Sequence, residues 1–83
     1  MFEKQGLVKL KKFILAHDTK KSAESYYILE DEVVLIVSAV YTNFNHIVTF
    51  MHEEKFLKTK IPYSYHYSED ELFNSYFSFL KEV

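Results

Sequence analysis

The sequence predicts a single α+β domain, an antiparallel β-meander of four or five strands with one C-terminal amphipathic helix packed on one face. Three observations lead to this prediction. The 83 residues suffice for one hydrophobic core, and neither a repeat nor a Pro- or Gly-rich linker divides residues 1–83. A β-branched run fills the centre of the chain, and a helical pattern of apolar residues follows residue 68. Domains of this length have a stability of about 4 to 12 kcal/mol.

The N-terminal segment, residues 2–16, fits a strand or a helix. As a strand it places Val8, Leu10 and Ile14 on one side. As a helix it would interrupt its apolar stripe with Lys11. We therefore expect a strand, and the helix remains the alternative.

The middle of the chain predicts two hairpins. Residues 33–41 are dense in β-branched side chains and predict the central strand, preceded by a strand over 26–29 and an acidic turn over 30–32. After a turn over 42–45, residues 46–51 and 56–61 predict a second hairpin. The spacing of apolar residues over 46–58 also fits a helix, which remains the alternative to that hairpin.

The C-terminal segment carries the signals of a helix start. Ser68 followed by Glu71 is a capping box, and acidic residues in a first helical turn interact favourably with the helix dipole. The apolar residues that follow recur at helical spacing. They are Leu72, Phe73, Tyr76, Phe77, Leu80 and Val83. We expect this stripe to pack on the sheet.

One helix covers only one face of a sheet, yet apolar residues alternate onto both faces of the central strand. Either the sheet closes around itself, or its second face contacts another protein or a second copy. We expect a homodimer, with Val34, Ile36 and Val40 in the interface. The expected function is that of a small protein-interaction domain, a regulator or inhibitor that binds a partner protein.

Three tyrosines alternate along an extended segment, so their rings share one side. Tyr63, Tyr65 and Tyr67 flank Ser64 and His66. Tyrosine is enriched in protein interfaces because it offers a large contact area at a small entropic cost. We expect these three residues to bind the partner, and packing against the helix or a sheet edge is the alternative.

Lysines concentrate in the first quarter of the chain and support a second function, that of a nucleic-acid-binding accessory protein. The candidate phosphate contacts are Lys9, Lys11, Lys12, Lys20 and Lys21. Against this function, the chain has a net charge of -2 and no arginine, the residue best suited to reading guanine. A nucleic-acid partner is therefore the weaker expectation.

The composition excludes several kinds of chemistry. The absence of cysteine removes disulfides, thiolate zinc sites and cysteine nucleophiles, and a single glycine removes glycine-rich phosphate loops. No two histidines have a metal-ligand spacing, and His17 and His66 are the only acid-base candidates. We expect no catalytic residues, no metal site and no cofactor.

The longest apolar run covers residues 33–41, about half the length that a transmembrane helix needs. No secretory signal pattern opens the chain, so we expect a cytoplasmic protein with no membrane contact. All ten basic residues are lysine, and lysine, asparagine, isoleucine and the aromatic residues are abundant. This bias is typical of AT-rich codons and indicates a low-GC bacterium or its phage.

Overall fold

A computed structural model describes residues 5–21, 23–42, 45–62 and 66–82. These residues form one seven-stranded antiparallel sheet and one short helix. In chain order the elements are β1 (Gly6–Leu10), β2 (Ile14–Asp18), β3 (Ser25–Ile28), β4 (Val33–Thr42), β5 (Asn45–His52), β6 (Lys55–Pro62), α1 (Glu69–Tyr76) and β7 (Phe77–Glu82). The strand order across the sheet is β3-β2-β6-β5-β4-β1-β7.

The predicted fold class, a meander of four or five strands with a packed amphipathic helix, is wrong. Strands β3 to β6 lie where the sequence predicts them, including the hairpin of β5 and β6. The N-terminal segment forms two strands instead of one, and the C-terminal residues expected to be helical form a further strand. Within the described ranges, no helix is both long and apolar enough to cross a bilayer.

The C-terminal helix begins as predicted but ends early. Ser68 is the N-cap, and its hydroxyl accepts a hydrogen bond from the backbone N–H of Glu71 at 3.1 Å. The helix ends at Tyr76, and the chain then pairs with β1 through Leu10↔Phe77 and Val8↔Phe79. The chain forms a strand here instead of continuing the helix because the strand hydrogen-bonds the backbone N–H and C=O groups on the open edge of β1, while Phe77 still packs in the core.

The first four strands form one long bent ribbon. β1 and β2 pair with β4 and β3, respectively, from Gly6↔Ile36 to His17↔Ser25. The register is the same on both sides of the bend, since each step forward along β1 and β2 is one step back along β4 and β3. At the bend, the backbone N–H of Leu10 donates to Glu32 O at 2.9 Å, and Asp31 N–H donates to Leu10 O at 2.8 Å. β1 and β2 are therefore two halves of a single arm of the ribbon.

This ribbon forces the sheet to curl. β1 and β2 lie four strand positions apart, which is about 19 Å in a flat sheet. Leu10 and Ile14 are joined by a segment that reaches at most about 14 Å. The sheet must bend to bring its two sides together, and its concave face becomes the core. The curl covers one apolar face of the sheet, and the outer face keeps exposed apolar side chains.

The core is lined by inward-facing residues from the strands and by Leu72 and Phe73 of α1. Its largest side chains include Phe50, Phe73 and Phe77, and the rings of Phe73 and Phe77 have centroids 4.9 Å apart. These phenylalanines contribute the largest areas of apolar surface withdrawn from water. The short helix thus completes the core at the end of the curled sheet.

Candidate functional site

The residues predicted to form a dimer interface do not share one face. Val34 and Ile36 are each 1% exposed and point into the core. A β-bulge between Ile36 and Ser38 inserts one extra residue, so Ala39 is the next core residue of β4. Val40 then lies on the outer face, opposite Ile47. The chain's own core uses Val34 and Ile36, so these two side chains are not exposed for contact with a second copy.

Two residues of the predicted tyrosine strip, Tyr63 and Tyr65, lie outside the described residues. Tyr67 is half exposed and directly precedes the N-cap of α1. Its exposure is compatible with a contact surface.

The N-terminal lysines do not form one basic patch. Lys11 Nζ donates to the carbonyl of Asn74 at 2.7 Å, and Lys12 Nζ lies 4.6 Å from the centre of the Tyr76 ring, so both hold the C-terminal end of α1. Lys9 Nζ lies 3.7 Å from the carboxylate of Asp31. The remaining predicted pair lies beyond the other end of β2, a strand about 16 Å long.

That remaining pair belongs to the turn between β2 and β3. The backbone N–H groups of Lys20 and Lys21 donate to Asp18 Oδ1 at 2.7 and 2.9 Å. These two bonds, the Lys20 bond first, lower the pKa of Asp18 below its ordinary value. The turn therefore needs the ionised carboxylate.

The outer face of the β2–β3 half of the ribbon carries exposed apolar side chains, which we call the ribbon patch: Phe13, Leu15 and Tyr27. They are 41–65% exposed. Leu15 pairs directly with Tyr27, and the rings of Phe13 and Tyr27 have centroids 6.0 Å apart. The sequence places Phe13 and Leu15 on one side of a strand, but nothing local to them identifies that side as exposed.

A groove of about 370 Å³ lies beside the ribbon patch, where β2 meets β6. Its described lining comprises His17, Ile47, Lys58, Thr59 and Lys60, with no acidic residue among them. The strands pair through His17↔Lys58 and Asp18↔Leu57, the backbone N–H of Thr19 donates to Phe56 O at 3.1 Å, and Thr59 Oγ1 donates to Leu15 O at 2.8 Å. We call His17, Lys58 and Lys60 the basic groove. His17, an acid-base candidate, thus lies beside lysines.

A second apolar surface crosses four strands on the outer face, and we call it the outer row: Leu7, Leu35, Met51 and Phe56. Each is directly opposite the next, through Leu7↔Leu35, Leu35↔Met51 and Met51↔Phe56. Leu7, Leu35 and Phe56 are 37–45% exposed, and Met51 is half-buried. This row is the apolar second sheet face that the sequence predicts, built from other residues.

The pairing of β4 with β5 also brings together a cluster that the sequence does not predict. Nε2 of His52, at the end of β5, lies 2.9 Å from Oε1 of Glu32 in the ribbon bend. Glu53 follows His52, and the ligand atoms of the three side chains all lie within 4.8 Å of one another. Leu35 lies opposite Met51, so Glu32, just before β4, comes beside His52 at the end of β5.

The Glu32 carboxylate is fixed on both oxygens. Oε2 accepts a hydrogen bond from the backbone N–H of Leu29 at 2.6 Å, while Oε1 faces His52. The hydrogen bond from Leu29 is the largest cause of the lowered pKa of Glu32; burial opposes it, and the hydrogen bond and charge of His52 add to the lowering. Glu32 is therefore ionised at neutral pH and links the bend to β5.

Comparison of the chain with protein-family models, with curated proteins and with solved structures found no match in any of the three.

Proposed function

We propose that this chain is a small non-enzymatic protein-interaction domain that binds an acidic segment of a partner protein and regulates or inhibits that partner. The observation that carries the proposal is that Leu15 of the ribbon patch and His17 of the basic groove are alternate, exposed residues of β2, so the two surfaces adjoin. A surface of this kind offers apolar anchors and positive charge on one rigid support. Tyr67, from the tyrosine strip that the sequence predicts, directly precedes the N-cap of α1 and is not part of this surface.

The ribbon patch has the properties of an interface centre. Aromatic side chains carry much of the binding energy in protein interfaces because they bury a large area with few rotatable bonds. Phe13 and Tyr27 are 63% and 65% exposed, so a partner would remove more apolar surface from water here than over a typical strand residue. Both arms of the ribbon hold the patch, so little backbone entropy is lost on binding.

The basic groove supplies the charge preference. Lys58 and His17 face each other across β2 and β6, and Lys60 lies on the same outer face of β6. The whole chain has a net charge of -2, so the positive charge of this groove is a local feature of the surface. Carboxylates of a partner would find here a complementary charge next to the apolar contact, which favours an acidic over a basic partner.

The outer row supports pairing with a second copy. Lys81 lies opposite Leu7 at one end of the row, and the Glu53–Glu54 turn joins Met51 to Phe56 at the other. Two copies related by a two-fold axis, with their rows antiparallel, would bring the basic end of one copy to the acidic end of the other. We therefore assign the outer row, rather than Val34 and Ile36, to a homodimer.

Selection of a random peptide library on the immobilised chain tests the partner surface. We expect peptides rich in aspartate and glutamate with interspersed apolar residues, and binding that weakens with added salt. Tyr27→Ala should weaken a selected peptide by about fivefold or more, and Lys58→Glu should abolish the acidic preference. Leu80→Ala, at an exposed position on β7, is the matched control and should bind normally.

Two outcomes contradict the assignment. Selected peptides that are basic or uncharged would exclude an acidic partner segment. Binding of single-stranded oligonucleotide that is lost in Lys58→Glu, with no peptide selected, would favour the nucleic-acid function.

Light scattering across a dilution series tests the dimer. A mass of twice 10.0 kDa that falls to the single-chain mass in Leu35→Lys supports the outer row, and an unchanged mass rejects it.

A further inference from the structure

The strongest chemical juxtaposition outside the partner surface is the cluster of Glu32, His52 and Glu53. Its members come from two elements far apart in the chain, the ribbon bend and the β5–β6 hairpin. It contains one imidazole nitrogen and two carboxylates, a donor set found at zinc and other transition-metal sites. Its side chains lie at the edge of a pocket of about 220 Å³, which leaves room for a water ligand.

The charge of the cluster favours a cation. Two carboxylates face one imidazole, and Glu32 Oε1 is directed at His52 because Leu29 holds its other oxygen. Within the part of the chain that the structure describes, the ion pairs place no lysine on Glu32 or Glu53. The nearby Lys55 instead directs its Nζ over the Tyr26 ring, 5.1 Å from the centroid.

The spacing of the ligand atoms is close to that of a metal site. Zinc ligands at about 2.0–2.1 Å in a tetrahedron lie about 3.3 Å from one another. His52 Nε2 and Glu32 Oε1 are 2.9 Å apart, and a small outward rotation of these side chains brings them to that separation. Glu53, exposed in the turn, is within 4.8 Å and can approach by changing its rotamer.

We propose that Glu32, His52 and Glu53 bind one zinc ion, with water as the fourth ligand. Zinc binds His52 Nε2 in place of the proton that this nitrogen donates to Glu32 Oε1; that proton moves to Nδ1 or to solvent, and the ion links the ribbon bend to the β5–β6 turn. Magnesium is disfavoured because it selects oxygen ligands in octahedral geometry, and one of these three ligands is an imidazole nitrogen. Because the site forms only in the folded chain, zinc stabilises the fold.

Isothermal titration calorimetry with zinc chloride, on the full chain without a histidine tag, tests the site. We expect one zinc per chain, a melting temperature that rises with zinc concentration, and no comparable effect of magnesium chloride. His52→Ala and Glu53→Gln should each weaken zinc binding about tenfold or more.

Two control variants separate this site from nonspecific binding to surface groups. Glu54→Gln alters the neighbouring acid of the same turn, and His66→Ala alters an exposed histidine outside the cluster. Both should bind zinc with unchanged affinity and stoichiometry. The proposal fails if the wild-type chain binds no zinc, if Glu53→Gln binds as well as the wild type, or if His66→Ala removes the binding. If His52→Ala does not fold by circular dichroism, Glu53→Gln decides the outcome.

Discussion

Two neighbouring residues of β4 give the sharpest test of the curled sheet. Ile36 is 1% exposed and faces the core, whereas Leu35 is 39% exposed and belongs to the outer row. They have side chains of equal size and adjacent backbone positions. Replacing each with alanine therefore compares the two faces of one strand at nearly the same place in the sheet.

The expected costs follow from burial. Ile36→Ala removes a fully buried side chain and leaves a cavity, so we expect a loss of about 2 to 5 kcal/mol in unfolding free energy. This is a large part of the total stability expected for a domain of this length. Leu35→Ala removes a side chain that keeps two fifths of its surface in water, so its cost should be about 1 kcal/mol.

Urea denaturation followed by far-ultraviolet circular dichroism measures both costs, and equal slopes against urea would show that the same surface is exposed in each case. The measurement is made at a low and a high protein concentration. If the outer row pairs two copies, Leu35→Ala should cost more at the higher concentration, because the wild type is further stabilised by association. A Leu35→Ala cost equal to that of Ile36→Ala at low concentration would refute the assignment of the two faces.

Three further predictions each concern a single residue. The hydrogen bond from Leu29 lowers the pKa of Glu32, so the ionised carboxylate stabilises the fold. This stabilisation is complete above the ordinary glutamate pKa of 4.5 and is lost as pH falls through the lower folded-state value. Urea titrations should therefore show that Glu32→Gln lowers the unfolding free energy at pH 7 and lowers it progressively less below pH 4.5. Ser68→Ala should lower the unfolding free energy by about 1 kcal/mol through loss of the helix cap, whereas Ser78→Ala, at an exposed position, should change it little. Glu54 has a φ of 67°, a left-handed conformation that glycine adopts without steric cost. Glu54→Gly should therefore raise the melting temperature, with a gain of up to about 1 kcal/mol in unfolding free energy, and a lower melting temperature would contradict the turn geometry.

Elements whose signals are local could be predicted from the sequence. The β-branched run of β4 and the capping box at Ser68 each depend on residues within a few positions, and both lie where the sequence predicts them. The end of α1 could not be predicted in this way. Phe77 and Phe79 fit a strand through their alternation with Ser78, while Phe77 also continues the helical stripe from Phe73. The open edge of β1 decides between these structures, and that edge is distant in sequence.

The candidate site was less predictable because it depends on the curl and on one bulge. Val33 to Val37 are all apolar, so the alternation gives no sign of which residue is inserted, and a single extra residue moves Val40 to the opposite face. In the same way, the local sequence predicts each of the turns that contain Glu32 and Glu53, but it does not predict that the two turns meet. Their contact through His52 depends on the register of β4 against β5, which shifts at the bulge between Ile36 and Ser38.

The ribbon bend links the physical requirements of the core to the exposed surfaces. Closing the sheet places Ile28 and Ile14 inside, and their strand neighbours Tyr27 and Leu15 must then point outward because side chains alternate along a strand. Polar residues at those two outward positions would satisfy the fold equally well. Their apolar and aromatic character is therefore not required by the core, and this is the physical reason for assigning the ribbon patch to binding rather than to stability.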